Sequence, residues 1–133
     1  MNGITIKKIQ IEKNDSNKHA ISLVFSHIAF HYITAGHGYF NKKRLGAGDG
    51  FVCNIDCYCN YYPDPNDPWE YVWMIVSDEG NYVTTEYQQN GYTFKFLNPE
   101  RFKMLCTELS ANQEKLADRE YSSSVFNIIK SYH

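Results

Sequence analysis

Residues 61–73, YYPDPNDPWEYVW, are rich in aromatic side chains and turn-forming residues. Two Asp-Pro steps within them predict a turn. The strand that follows places Trp69, Tyr71 and Trp73 on one face, because alternate residues of a strand share a side. More tyrosines precede the turn, at positions 58, 61 and 62. The stretch therefore predicts an aromatic hairpin that either fills a core or lines a pocket for a flat or sugar-like ligand.

Short strand-like segments lie on the N-terminal side of this hairpin. Residues 3–12 alternate between apolar and polar side chains in two pieces. The apolar side chains of the two pieces would lie on opposite faces of one regular strand, which predicts a bulge near Lys7 and Lys8. Residues 20–34 predict two strands with a break near residues 26–27. Many short strands at a spacing of about 8–12 residues, without helices alternating between them, are typical of an antiparallel barrel or jelly roll.

The chain changes character after the hairpin. Residues 81–91 are ambiguous, with one or two helical turns as one interpretation, and residues 92–97 predict a last strand. Asn98 followed by proline and glutamate predicts a helix start, and a second helix is expected from about Asp118. The predicted division is a barrel with an N-terminal arm over residues 1–97 and an antiparallel helix pair over residues 98–133.

Both predicted helices carry an apolar stripe. The residues of the two stripes are Phe102, Leu105, Cys106 and Leu109, then Tyr121, Val125, Ile128, Ile129 and Tyr132. Two interpretations are open: the stripes pack wholly on the barrel, or one face pairs with a second subunit. The second stripe continues to the last residues without a C-cap glycine, so we expect a domain excised from a longer protein.

Composition narrows the class of protein. A chain of 133 residues is one domain with room for a substantial core. Its net charge of −2 argues against direct DNA binding, because a domain that grips phosphates is usually basic. No apolar run approaches the roughly 20 residues of a membrane span, and the N-terminal residues do not read as a signal peptide. A cytoplasmic location is therefore expected.

The histidines and cysteines do not form a metal-binding or catalytic pattern. The histidines are His19, His27, His31, His37 and His133, and the cysteines are Cys53, Cys57, Cys59 and Cys106. No His-x-His pair occurs, and the cysteines lack the paired spacing of a zinc site. A Cys59–His31 nucleophile pair would lack an orienting third group. We therefore expect no metal, no cofactor and no enzymatic activity.

Three motifs resemble one family. They are HYITAGHGYF at residues 31–40, LGAGDGFV at residues 45–52 and DPNDPWEYVW at residues 64–73, of which the last is the most specific. With the helices after Asn98, they resemble the N-terminal sensing domain of AraC-type transcription regulators, a metal-free cupin-like barrel. The resemblance spans nearly all of residues 20–133.

The resemblance implies a small-molecule effector, often a sugar, held inside the barrel of a homodimer. Its occupancy would be passed to helix-turn-helix units that this chain lacks, so DNA is a partner only through them. Tyr61 and Trp73 match the family's pocket positions, and Tyr71 shares the face of Trp73. The candidate ligand-binding residues are Trp73, Tyr71, Tyr61, Trp69 and His31. The candidate dimerisation residues are Phe102, Leu105, Leu109, Tyr121, Val125 and Ile129.

Two departures from the family pattern bear on the ligand. The family's proline-glycine turn is missing from residues 54–59, and Cys59 stands where the family usually has a histidine. In addition, residues 20–30 contain no arginine that could bind a ligand oxygen. The missing arginine points to a neutral or apolar-faced effector. Two alternatives stand beside the sensor: a metal-free cupin enzyme acting on a sugar, and a dimerisation-only barrel filled by its own aromatic residues. A cavity in the barrel would argue against the second.

Overall fold

The computed structural model describes residues 4–78 and 92–133, and the ambiguous segment 81–91 lies outside them. The described strands are β1 (Ile4–Lys13), β2 (Ile21–Val24), β3 (Ile28–Ala35), β4 (His37–Phe40), β5 (Lys43–Gly46), β6 (Asp49–Cys53), β7 (Tyr58–Pro63), β8 (Glu70–Asp78) and β9 (Thr93–Lys95). The helices are α1 (Pro99–Ala111), a short 3₁₀ helix (Gln113–Ala117) and α2 (Arg119–Lys130). The predicted order, strands followed by two helices, is confirmed.

The strands form two antiparallel sheets. One has the strand order β1-β8-β3-β6-β9 and the other the order β2-β7-β4-β5. Most strands that are consecutive in the chain thus lie in different sheets, as in a jelly roll, while β4 and β5 pair with each other within one sheet. The mainly β, cupin-like architecture that the sequence predicts is therefore confirmed.

The five-stranded sheet is covered on both faces. In β8 the even-numbered Val72, Met74 and Val76 belong to a core cluster that includes residues of α1 and α2. The odd-numbered Tyr71 and Trp73 belong instead to a cluster that this sheet shares with the four-stranded one. This division follows from the alternation of side chains along a strand. One side of β8 faces the helices and the other faces the barrel interior.

A bulge in β1 keeps its apolar residues on the helix side. Ile6 pairs with Val76 and Lys8 with Ile75, so Lys7 is an extra residue in this strand. An extra residue reverses the parity of every position after it. Ile6 and Ile9 are both buried in the helix-side cluster as a result. The bulge that the sequence predicts near Lys7 is confirmed.

The two helices pack against β1, and α1 also packs against β3. Asp118 caps α2, since its side chain accepts a 2.9 Å hydrogen bond from the backbone N–H of Tyr121. Asn98 precedes α1 as predicted, but its side chain makes no cap hydrogen bond and its φ is 51°. Its carbonyl instead accepts the N–H of Phe102 at 2.9 Å. In the ranges described, no helix is long and apolar enough to cross a membrane.

Candidate functional site

A cavity of about 270 Å³ lies between the two sheets. It is bounded by side chains of β1, β2, β3, β7 and β8 and by one residue, Phe25, of the loop between β2 and β3. Its wall consists of Glu12, Ile21, Leu23, Phe25, Ala29, His31, Tyr61, Tyr71, Trp73 and Ile75. We refer to it as the inter-sheet cavity. A mostly apolar wall with a few polar groups is the usual character of a small-molecule site.

A second, larger cavity of about 820 Å³ lies at another place in the fold. Its polar side chains come largely from the loop around Ser26 and His27, from residues 54–57 and from the end of β8. It contains none of the aromatic residues that the sequence singled out. The inter-sheet cavity is therefore the better candidate for an effector site, although it is the smaller of the two.

Four of the five predicted ligand-binding residues meet at the inter-sheet cavity: His31, Tyr61, Tyr71 and Trp73. The ring centroid of His31 lies 4.9 Å from that of Tyr61 and 5.6 Å from that of Tyr71. The rings of Tyr61 and Tyr71 are nearly perpendicular, with centroids 6.4 Å apart. Strands from both sheets thus supply one continuous aromatic surface.

Trp69 is not part of that surface, and this corrects the sequence-based prediction. Its side chain is fully buried in the core, with its ring 5.8 Å from that of Phe51. The indole lies against Gly38, where an added Cβ would stand only 2.2 Å from it. Its Nε1–H donates to Oδ1 of Asn14 at 3.0 Å. The absence of a side chain at position 38 therefore allows the ring to lie in the core beside β4.

Glu12 is a polar group of the cavity that sequence reasoning missed. The Tyr71 hydroxyl donates to its Oε2 and the Trp73 Nε1–H donates to its Oε1, both at 3.1 Å. Glu12 reaches these partners because it pairs with Tyr71 in the β1–β8 ladder. No local pattern signals that pairing, since the two residues are far apart in sequence.

His31 is held neutral in the cavity wall. Burial lowers the pKa of its imidazole from 6.5 to about 3, more than nearby backbone hydrogen bonds raise it. The ring stacks on Phe51 with centroids 4.2 Å apart. Among the described residues, no group forms a hydrogen bond with its buried Nδ1. The ring therefore offers an uncharged polar edge.

The two cavity tyrosines also stay uncharged. Burial raises the pKa of Tyr61, and the negative charge of Glu12 adds to that effect. Burial raises the pKa of Tyr71 as well, and its hydrogen bond to Glu12 contributes in the same direction. Both hydroxyls therefore remain able to donate a hydrogen bond at any physiological pH.

The cysteines near β7 divide between two environments. Cys59 is buried in the interior, as its parity with Tyr61 predicts, together with Cys53. Cys57 precedes β7 and lines the larger cavity instead. Across residues 4–78 and 92–133, no three His, Cys, Asp or Glu side chains are placed to hold a metal ion together.

The predicted dimerisation stripes are mostly covered by the chain itself. Phe102, Leu109, Val125 and Ile129 are buried in the core between the helices and the five-stranded sheet. Leu105 is partly buried against the same core, whereas Tyr121 keeps 39% of its surface exposed. The buried four thus serve intramolecular packing, because β1 and β3 need an apolar cover on that side. They do not offer an exposed face to a second subunit.

The fold defines a class: a jelly-roll domain of two antiparallel sheets with an aromatic-lined cavity between them. The chain belongs to the family of AraC-like ligand binding domains, whose model matches residues 11–80, more than half of the chain. The matched range contains Glu12, His31, Tyr61, Tyr71 and Trp73. No curated protein matches the chain. The sequence resemblance is therefore confirmed, and the chain is a ligand-sensing domain of an AraC-type regulator.

Proposed function

We propose that this domain binds a carbohydrate in the inter-sheet cavity and acts as a homodimer. The bound state would be passed to a DNA-binding domain elsewhere in the regulator. The observation that carries the proposal is the cavity itself, whose wall includes His31, Tyr61, Tyr71 and Trp73. A barrel filled by its own aromatic residues would have favoured a dimerisation-only domain instead.

The cavity wall suits a monosaccharide-sized ligand. The faces of Trp73 and Tyr61 can pack on the apolar C–H side of a sugar ring. The Glu12 carboxylate and the uncharged His31 ring can hydrogen-bond its hydroxyl groups. An apolar surface with a few fixed polar groups gives both affinity and orientation.

We also propose that the domain binds without catalysis. A general acid or base works best when its pKa lies near the operating pH. The pKa of His31 is lowered to about 3 by burial, and the pKa values of Tyr61 and Tyr71 are raised. None of these three groups is therefore suited to exchange a proton near neutral pH, which supports binding over the metal-free enzyme alternative.

Strand β1 provides a route from the cavity to the helices. It carries Glu12 at the cavity, while nearer its start the backbone N–H of Ile6 donates to Oγ of Ser122 at 2.6 Å. The N–H of Ile9 also donates to Oε1 of Gln113 at 3.1 Å. A ligand that binds one arrangement of β1 more tightly than another would bias these contacts in the same direction.

A homodimer would use helix surface that the monomer leaves open. Met104 is 72% exposed, Ile128 is 52% exposed and Tyr121 is 39% exposed. Sedimentation velocity of the wild type and of the double variant Met104→Glu/Ile128→Glu tests this. We expect a dimer that the double variant dissociates, while Val24→Glu, at an exposed position on β2, leaves it intact. A monomeric wild type at high concentration would contradict the dimer proposal.

Intrinsic tryptophan fluorescence tests ligand binding, because the chain has only two tryptophans. The domain is titrated with mono- and disaccharides as wild type, Trp73→Phe and Trp69→Phe. A saturable change is expected that survives Trp69→Phe and is lost in Trp73→Phe. A response that instead depends on Trp69 would place the ligand elsewhere, and no response to any sugar would contradict a carbohydrate effector.

A further inference from the structure

Glu12 is the one formally charged side chain in the wall of the inter-sheet cavity, among the residues that the structure describes there. We propose that the effector carries a cationic amine, and that Glu12 with the surrounding aromatic rings recognises this group. An amino sugar or another small, ring-sized primary amine has the required chemistry. This inference rests on the proposed function and specifies the charge of the ligand.

The charge of Glu12 is not compensated by its hydrogen-bond partners. Its hydrogen-bond donors are the Tyr71 hydroxyl, the Trp73 Nε1–H and, more distantly at 3.4 Å, the Asn14 amide. None of these groups carries a positive charge. The ion pairs within residues 4–78 and 92–133 do not include Glu12. A partly buried carboxylate of this kind attracts a cation more strongly than a neutral polyol, since burial weakens the screening of charge.

The Glu12 carboxylate also has acceptor capacity that its present partners do not use. An ionised carboxylate has about four lone-pair sites, and Oε1 of Glu12 accepts one hydrogen bond, from Trp73. An ammonium group can donate to a free site without displacing the tyrosine or the indole. Such a charge-assisted hydrogen bond is roughly twice as strong as one between neutral groups.

Aromatic rings line the same cavity as the Glu12 carboxylate. Phe25, Tyr61, Tyr71 and Trp73 all line the cavity, and the centroids of Phe25 and Tyr61 lie 6.3 Å apart. The negative face potential of such rings stabilises a cation within about 6 Å. Aromatic rings combined with a carboxylate recognise an ammonium group better than either alone.

Trp73 already holds an ammonium group of the chain itself. The Nζ atom of Lys8 lies 5.4 Å from the centroid of the Trp73 ring. Lys8 does not line the inter-sheet cavity, so its amine does not occupy the proposed ligand position. An ammonium group at this distance is attracted by the negative face of the indole.

Nothing else in the cavity wall opposes a positive charge. His31 is the only other group there that could become cationic, and burial keeps its imidazole neutral at physiological pH. The tyrosine hydroxyls are neutral, and the remaining wall residues are apolar. The cavity therefore carries a net negative charge, which favours an amine and disfavours carboxylates and phosphates.

Matched ligand pairs test this inference directly. Glucosamine and glucose, galactosamine and galactose, and cyclohexylamine and cyclohexanol differ chiefly by an ammonium group in place of a hydroxyl. Each is titrated into the domain, with Trp73 fluorescence as the readout and calorimetry as a second measurement. We expect at least one amine to bind about tenfold or more tightly than its neutral partner at pH 7, with weaker binding at high salt.

The variant Glu12→Gln keeps the shape and an acceptor oxygen but removes the charge. It should reduce amine affinity by about tenfold or more and change the affinity of the neutral partners much less. Glu108→Gln removes a charge from an exposed position of α1 and should leave both affinities unchanged. Near-UV circular dichroism confirms that each variant is folded.

The outcomes separate this inference from the proposed function. If neutral sugars bind and their amine partners do not, or if Glu12→Gln weakens both equally, the cationic effector is wrong while the carbohydrate sensor stands. If an amine binds and no neutral sugar does, the inference is supported and the effector is an amine. If neither class binds to the folded domain, both proposals fail.

Discussion

The backbone N–H of Ile6 donates a 2.6 Å hydrogen bond to Oγ of Ser122, across 116 positions of the chain. Ser122 has no exposed surface. Next to it, the Ser123 hydroxyl donates to the carbonyl of Ile4 at 2.7 Å. The N-terminal strand and the C-terminal helix are thus joined by specific polar contacts in addition to apolar packing, and the strand continues from there to Glu12.

Ser122→Ala should destabilise the domain. Removing the hydroxyl leaves the Ile6 N–H buried without this acceptor, and the loss of a buried hydrogen-bond partner costs about 1–3 kcal/mol. Urea denaturation measures the free energy of unfolding. Ser124→Ala, on the exposed side of the same helix, is the matched control and should change stability by less than about 0.5 kcal/mol. Equal effects for the two serines would contradict the importance of this contact.

Gly38→Ala should disturb the core around Trp69. The added Cβ would stand 2.2 Å from the indole, and the ring is fully buried and cannot move away freely. Overpacking of this kind costs about 1–3 kcal/mol, measured by thermal or urea unfolding with near-UV circular dichroism of the indole. Gly46→Ala is the comparison, because its nearest contact would be the partly exposed ring of His37, at 2.8 Å, and not a fully buried ring. A larger loss of stability for Gly46→Ala would count against this explanation.

The carboxylate of Glu70 makes stability depend on pH. Burial alone would raise its pKa, but hydrogen bonds from Thr34 and Lys103 and the charge of Lys103 lower it below the ordinary 4.5. The stabilisation is therefore present above about pH 4.5 and is lost as the pH falls through the lowered pKa. The stability difference between the wild type and Glu70→Gln should be constant near neutral pH and shrink in acid. A difference that grows in acid would show that the sign is wrong.

The four thiols should differ sharply in reactivity. Burial raises the pKa of Cys106 to about 12 and also raises that of Cys53, and thiolates are the reactive species. A hydrogen bond with Cys53 lowers the pKa of Cys59, but this thiol is buried away from reagents, whereas Cys57 is partly exposed. A disulfide reagent at neutral pH should modify Cys57 rapidly and the other three only as the domain unfolds. Cys57→Ser should abolish the rapid phase, and rapid modification of Cys106 would contradict the burial seen here.

Much of the fold follows from local sequence patterns. The bulge at Lys7 is visible in the parity of the isoleucines, and Tyr71 and Trp73 share a face because of their spacing. Glu12 could not be found this way, because its place at the cavity depends on the pairing of β1 with β8. Trp69 has the same parity as Tyr71 and Trp73, but its indole lies in the core because Gly38 has no side chain to occupy that space.

The helices show a second limit of sequence reasoning. An apolar stripe predicts that one face of a helix is covered, but it does not predict which surface covers that face. Phe102 and Ile129 are covered by the sheet of the same chain, which the stripe itself does not distinguish from a partner subunit. The dimer therefore remains a proposal that rests on exposed residues such as Met104 and Ile128.

Because side chains alternate between the two faces of β8, amino-acid substitutions in this strand fall into two kinds. Substitutions at Tyr71 and Trp73 would change the wall of the proposed ligand site, while Val72 and Met74, one position away, pack the sheet against its helices. The wall of the proposed ligand site can therefore change during evolution while the packing of the sheet against the helices is kept. Insertion or deletion of a single residue in this strand would exchange the two sets, so we expect β8 to diverge by substitution alone.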